Sequence, residues 1–227
     1  MRKYFYVSTA ILMVLLLNSC SQQKEKRPVD YVDPFICTQD DHGQWLPAAL
    51  VPFGLVELCP DSYPGSLTAD GDFAHGGYNY SDSQVRGFSH LHKGSSGGGS
   101  IRDRAGLISL VPYSHSPGDT FYANPVLDID KNTETAEAGY YKAHLTQDDI
   151  LAELTTTEHV GVHRYTFQNG KNAKIFVNSG NRNYSVSLTL AAPSQLEGSV
   201  GNKYFVVQFS SPVTKTSIDR KSTRLNS

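Results

Sequence analysis

The chain has 227 residues, with 20 Lys and Arg against 22 Asp and Glu and a net charge of −2 when histidine is neutral. That balance excludes nucleic acid as a partner, because no run of basic residues alternates with aromatics along a face to neutralise phosphates. With 39% apolar residues it is long enough for one large domain or two small ones with a proper core.

At the start, Arg2 and Lys3 precede an apolar run from Val7 to Leu17 that ends in Leu17-Asn18-Ser19-Cys20. The run is too short to span a bilayer and a small residue precedes the cysteine, the pattern of a cleaved export signal. Its ending resembles the lipobox of bacterial lipoproteins, whose cysteine is acylated. The resemblance implies a signal over residues 1–20, a membrane anchor at Cys20, and a place in the bacterial cell envelope, facing the periplasm or on the outer membrane. Residues 21–29, beginning SQQKEKR, form a polar tether with no face to bury. With Cys20 lipidated, Cys37 and Cys59 remain in a compartment that permits disulfides; they either pair or stay free and buried.

From residue 30 to residue 218 the chain shows short runs of period-two alternation bounded by Gly, Pro, Asn and Asp. Strands are predicted over 54–59, 107–111, 126–130, 140–145, 150–156, 160–167, 174–178, 184–190 and 204–209. Two hairpins are predicted: 140–145 turning through Gln147-Asp148-Asp149 into 150–156, and 160–167 turning through Asn169-Gly170 towards Ile175. Many strands and few helical patterns predict an all-β, antiparallel two-layer sandwich.

The front third differs. From Asp33 to Arg104 the predicted strands are few and the loops long, and four of the eight histidines, His42, His75, His90 and His92, fall there with the single tryptophan, Trp45. Long ordered loops in compact domains carry function. The stretch from Gly76 to Ser100 offers flat rings at Tyr78, Tyr80 and Phe88, imidazoles at His90 and His92, hydroxyls at Ser89 and Ser95, and a glycine run in which backbone can approach a ligand closely. Apolar faces beside fixed hydrogen-bonding groups suit a sugar, which presents C–H patches and a ring of hydroxyls. The alternative is a flexible Gly/Ser loop with two structural histidines.

His90 and His92 share a face if they lie on a strand. As zinc ligands they would need two more in reach, and His75 and Asp72 stand at no zinc-type spacing, so hydroxyl binding is the preferred reading. His42 and Trp45 form a hydroxyl partner and a stacking platform, or else Trp45 plugs the core. Arg102, Asp103 and Arg104 read as a local ion-pair set. Asp148, Asp149, Glu153 and Glu158 sit at a turn and along an alternating strand, where solvated acids normally fall, so no catalytic residue is assigned to this chain.

Several co-linear motifs resemble glycoside hydrolase family 92. They are Tyr31-Val32-Asp33-Pro34-Phe35-Ile36, His42-Gly43 with Pro47, Val51-Pro52-Phe53-Gly54, Cys59-Pro60-Asp61, Gly77-Tyr78 through Tyr80-Ser81-Asp82-Ser83, Gly87-Phe88-Ser89-His90 with His92, Ala138-Gly139-Tyr140-Tyr141, and Val160-Gly161 with His163-Arg164-Tyr165-Thr166-Phe167. The resemblance implies the N-terminal β-supersandwich, of galactose-mutarotase-like type, of a calcium-dependent exo-α-mannosidase. A helical (α/α)6 barrel would follow and carry the acid, the base and most calcium ligands. In inverting hydrolases those two carboxyls stand about 6.5–9.5 Å apart, on either side of the bond to be cleaved. His42, Gly43, Trp45, Tyr78, Tyr80, His90 and His92 would then face mannose-containing glycans from one wall of the pocket. This chain alone would be inactive. The other reading is a stand-alone carbohydrate-binding lipoprotein that cleaves nothing.

The sequence departs from the family's pattern in places. Ile36-Cys37-Thr38-Gln39 stands where the family commonly has Ile-Gly-Thr-Gly, which puts a cysteine where glycine's φ freedom is usual. Trp45 adds an indole at the presumed rim, and residues 61–72 lack a tryptophan found in many members. The closing DRKSTRLNS, residues 219–227, has no apolar periodicity and is similar to a translated sequencing adapter, so the natural frame is expected to run on past Ile218.

Overall fold

The computed structural model describes residues 25–39, 45–63, 77–92, 106–118, 120–168, 170, 172–178 and 185–217. The signal with Cys20, the pair His42 and Gly43, the glycine run with Arg102 to Arg104, and the tail from 218 lie outside the described residues. The chain divides into two units, 1–31 and 32–227. What is described of the first is one turn of 3-10 helix, Pro28–Tyr31, where Asp30 accepts from the Arg27 backbone N–H at 2.9 Å and from its Nη2 at 2.8 Å.

The second unit is all-β, and every strand pair is antiparallel. Its strands are β1 (Cys59–Tyr63), β2 (Gln84–Leu91), β3 (Leu107–Tyr113), β4 (Leu127–Glu137), β5 (Tyr140–Leu145), β6 (Ile150–Thr156), β7 (Gly161–Phe167), β8 (Lys174–Asn178), β9 (Val186–Ala192), β10 (Gln195–Val200) and β11 (Lys203–Gln208). One sheet runs β7-β6-β5-β4-β2-β3-β8 with β1 added on β2; a smaller one runs β11-β10-β9.

Alternation places the core. On β5 Tyr141, Ala143 and Leu145 turn inward, and on β6 Ile150, Ala152 and Leu154 do the same, all within 1% exposed, because successive strand side chains take opposite faces. Val85, Phe88, Val111, Leu127 and Ile129 join them from β2, β3 and β4. A smaller cluster of Leu107, Ile108 and Val200, with Leu91 and Phe205 against it, links the two sheets.

The sequence places β3, β5, β6, β7, β8, β9 and β11 within two residues at nearly every end, and the 140–156 hairpin forms as expected. The second expected hairpin does not. Gly170 does take φ 58, yet β8 pairs with β3 and leaves β7 as an edge, so a local turn signal is overridden by the buried partner, since all seven residues of β3 are buried. Residues 54–58 form only an isolated bridge, Ala49 to Leu58, and the strand begins at Cys59. Sequence reading passed over β2 because its apolar residues break the period: the β1 pairing goes from Gly87 to Val85 and skips Arg86, a bulge that brings Val85 and Phe88 into one core.

Leu145 is 1% exposed at the β5–β6 turn, inside the largest cluster. Leu145→Ala should lower stability by about 2–5 kcal/mol, read as a lower urea midpoint with the slope unchanged.

Candidate functional site

Four groups of side chains tie the part of the chain that precedes β4 to itself and to β4, β5 and β7. The first is a turn over residues 33–38. Asp33 Oδ1 accepts from Phe35 N at 2.9 Å, Asp33 O from Ile36 N at 3.3 Å, and Phe35 O from both Thr38 N and Thr38 Oγ1. Thr38 is fully buried, while Cys37 takes φ 61, the left-handed region that side chains resist. Two aromatic residues hang from this turn: Trp45 N donates to Cys37 O at 3.1 Å and Tyr80 N to Thr38 O at 2.9 Å. Trp45 is 54% exposed and Tyr80 37%, with the Tyr80 ring edge-on to Phe35 at 5.1 Å. Trp45 therefore stands at the surface and does not plug the core.

Beneath them lies the second group. Tyr78 is 1% exposed and packs with Ala48 and Cys59. Its hydroxyl donates to Glu134 Oε1 at 2.7 Å, as does the Tyr141 hydroxyl at 2.6 Å. Lys131 pairs with Glu134 Oε2, donates to the Tyr78 hydroxyl at 3.1 Å, and lies 4.3 Å from the Tyr80 ring centroid. Burial and the adjacent carboxylate push both phenols far above their ordinary pKa.

The third group is centred on Asp61 of β1. Its Oδ1 accepts from Ser89 Oγ at 2.9 Å, His92 Nε2 at 3.1 Å and Gly106 N at 3.3 Å. His92 Nδ1–H donates to Glu57 O at 2.9 Å, and its Nε2 also lies 3.0 Å from Ser89 Oγ. Burial alone would push its pKa down; the Asp61 carboxylate and the Glu57 carbonyl outweigh that and hold it up. Gly106 admits no side chain, since a Cβ there would fall 1.6 Å from Ser89 Oγ. Ser62, next on β1, holds the other segment: it accepts from Asn79 N at 2.8 Å and donates to Asp82 at 2.8 Å.

The fourth group is a hydrogen-bonded row across β2 and β7. His90 Nδ1–H donates to Ile108 O at 2.6 Å, a carbonyl freed from the β2–β3 ladder where Ile108 takes φ 60. That donation makes His90 Nε2 the acceptor, so His163 Nε2–H donates to it at 2.9 Å and the Tyr165 hydroxyl donates to His163 Nδ1 at 2.7 Å. Gly161 leaves room for the His90 ring, which a Cβ would approach to 2.6 Å. Burial holds both imidazoles below their ordinary pKa, His163 well below.

Of the residues singled out from the sequence, Trp45 and Tyr80 are brought to one exposed turn, with Tyr78 buried under it. His90 and His92 do not share a partner set: each has both nitrogens within hydrogen-bond reach of protein atoms, on different elements. Asp61 and His163 stand in two of the co-linear motifs but have no role assigned from the sequence, and no sequence signal marks Lys131 or Glu134. Two of the four acids read as solvated, Asp148 and Glu153, need correction, while Glu158 is exposed as expected. Asp148 is 7% exposed and binds Ser114 Oγ, His115 N and His115 Nδ1 at 2.7–2.8 Å, which outweighs its burial and lowers its pKa. Glu153 accepts two bonds from Arg164 and one from Tyr140, which push its pKa down to about 2. Cys37 and Cys59 are both free, the first exposed and the second buried.

Among the described residues no three His, Cys, Asp or Glu side chains converge on a point that could hold a metal ion. The buried carboxylates Asp61, Glu134 and Asp148 are engaged by protein donors, so these residues do not fit a calcium site. No helix among the described residues is long and apolar enough to cross a membrane.

An all-antiparallel β domain, one large sheet beside a three-stranded one, is the structural class. Its family follows from comparison: residues 31–227 match the Glycosyl hydrolase family 92 N-terminal domain, and the chain belongs to that family. It is 27% identical over 158 residues to an uncharacterized secreted glycosidase of Arthroderma benhamiae, covering 67% of this chain and 19% of that protein. A family 92 α-mannosidase of Bacteroides thetaiotaomicron superposes with a TM-score of 0.64 at 25% identity, covering 77% of this chain and 24% of that one. A family 92 inverting mannosidase of the same organism, at 22% identity and a TM-score of 0.65, shares the fold over 84% of this chain and 26% of its own. The chain thus spans about a fifth to a quarter of the length of these relatives.

Two outcomes are expected. Cys37→Gly should raise stability by about 0.5–1 kcal/mol, read as a higher urea midpoint, because glycine takes φ 61 without steric cost. The histidines make opposite contributions with pH. His90 and His163, with depressed pKa, resist the protons the unfolded chain takes up, so their contribution is complete above about pH 6.5 and is lost as pH falls. His92, with a raised pKa, contributes fully below about pH 6.5 and loses that contribution as pH rises through its folded value. Urea unfolding of the wild type and of His163→Gln should diverge on the acid side, the variant losing less stability towards about pH 5; equal slopes would contradict the assignment.

Proposed function

We propose that this chain supplies one wall of the substrate pocket of an exported α-mannosidase, facing terminal α-mannosides with the turn that carries Trp45 and Tyr80. The observation that carries the reading is the pairing of that exposed aromatic turn, in the position of a family motif, with family 92 membership across residues 31–227. An indole face stacks on pyranose C–H groups, and a phenol hydroxyl both donates to and accepts from sugar hydroxyls. A relative 26% identical to this chain has been solved with mannoimidazole, which supports a mannoside as the ligand class.

His42 and Gly43, which precede Trp45 in the sequence and lie outside the described residues, complete the proposed sugar-facing set. His90, His92 and Tyr78 back it as a frame, since their polar atoms are held by protein partners. The general acid and base, and the calcium ion that helps bind the terminal sugar, are assigned to a helical barrel beyond this chain. Phe53 and Leu55 support such a partner: both are exposed, and Leu55 N is pinned to Glu158 O at 2.7 Å, so the apolar loop is held in place for another surface to cover. Cys20, acylated, would hold the protein at the bacterial envelope.

The test is mannose release from an α-linked disaccharide with calcium present, comparing this chain with one extended through the genomic frame. The short chain should show no turnover, because an acid and a base each contribute about 10²- to 10⁴-fold and this reading assigns both to the barrel. Trp45→Ala in the extended protein should raise KM more than it lowers kcat, as loss of a stacking face does. Turnover by the short chain would place the catalytic carboxylates within it and overturn this assignment, whereas a genomic stop after Ile218 would favour the carbohydrate-binding lipoprotein instead.

A further inference from the structure

We propose that Lys131 is the positioning residue of the sugar-facing turn, fixing the Tyr80 phenol so that its hydroxyl is presented to a neutral, polyhydroxylated ligand; this rests on the reading of that turn as the mannoside-facing surface. The device begins in β4. The β4–β5 register pairs Asp130 with His144 and next Thr135 with Lys142, so β4 accommodates extra residues that the ladder does not pair. The excursion is held by its own bonds: Asn132 N donates to Asp130 Oδ1 at 3.0 Å, Thr133 Oγ1 to Asp130 O at 2.7 Å, and His144 N to Thr133 Oγ1 at 3.0 Å. A bulge supported in this way re-aims side chains. Here it directs Lys131 and Glu134 at the tyrosines.

Glu134 has a fully buried side chain, so its charge requires compensation, and Tyr78, Tyr141 and Lys131 provide it. Lys131 is 24% exposed and cannot leave for water without stranding that carboxylate. Its ammonium is therefore a fixed point 4.3 Å from the Tyr80 centroid, where it attracts the negative face of the ring. With Phe35 edge-on and Tyr80 N bonded to Thr38 O, the ring is held on three sides. Its hydroxyl has no hydrogen-bond partner among the described residues, although the residue is 37% exposed. Because Glu134 already balances Lys131, the pair offers no net charge, which points to a neutral sugar over an anionic one.

The test uses this chain with methyl α-mannoside as probe and two readouts. Binding is followed by ligand-observed NMR for wild type, Tyr80→Phe, Lys131→Arg, and the charge-free pair Lys131→Met/Glu134→Gln, which avoids leaving a buried carboxylate alone. The charge-free pair and Tyr80→Phe should each weaken binding by about three- to tenfold, Lys131→Arg should retain it, and the charge-free pair combined with Tyr80→Phe should be no weaker than Tyr80→Phe alone. The second readout needs no ligand: the ring carbons of Tyr80 should show one ordered rotamer in wild type and averaged rotamers in the charge-free pair. If Tyr80→Phe weakens binding while the charge-free pair does not, or if the two effects add, the positioning role is wrong. An unchanged Tyr80 rotamer in the charge-free pair overturns it as well. If neither change affects binding but the rotamer averages, Lys131 does position Tyr80 and it is the mannoside reading of the turn that fails.

Discussion

The buried carboxylate of Glu134 is the constraint on which the front of the domain depends. An ionised group with no exposed side-chain surface is tolerated only with donors and a counter-charge. Supplying them draws Tyr78 from the loop before β2, Tyr141 from β5 and Lys131 from the β4 bulge to a single point. The loop before β2 is thereby tied to the β4–β5 hairpin, and the exposed Tyr80 ring is placed as a consequence.

Asp61 repeats the solution on β1. One of its oxygens binds Ser89, His92 and Gly106, so the end of β2 and the start of β3 are drawn to the same strand, while Ser62 holds the backbone at Asn79 and the side chain of Asp82. A short strand of five residues thus organises a region that has little regular structure of its own. The histidines divide by what faces them: His92 lies against a carboxylate that favours its charged form, while burial of His90 and His163 against each other and a carbonyl favours the neutral form. Residues that looked alike in the sequence therefore serve opposite electrostatic roles.

Scaffold and rim carry different costs in this domain. Strands β5 and β6 bury clean alternating faces and need no special chemistry at their backbone. The rim turn holds Cys37 at φ 61, and Ile108, whose carbonyl receives His90, sits at φ 60. Backbone strain of this kind persists only where surrounding contacts over-determine it, and here it adjoins the aromatic turn and the histidine row.

The sequence by itself determined the fold class and most strands, because period-two burial depends on neighbours one and two residues away and survives without knowledge of partners. It also determined, through co-linear motifs, which family the chain resembles, and that Trp45 and Tyr80 are among the residues to watch. It could not determine which strand pairs with which: Gly170 does take a positive φ, yet β8 lies against β3, since burying β3 between two neighbours outweighs a local hairpin. Nor could it show that Tyr78 and His92 are internal while Tyr80 is at the rim, or that Lys131 and Glu134 belong to the site at all. Those placements depend on a bulge in β4 and on where buried charges find their partners, and compensation of a buried charge is a long-range electrostatic requirement that no local periodicity encodes.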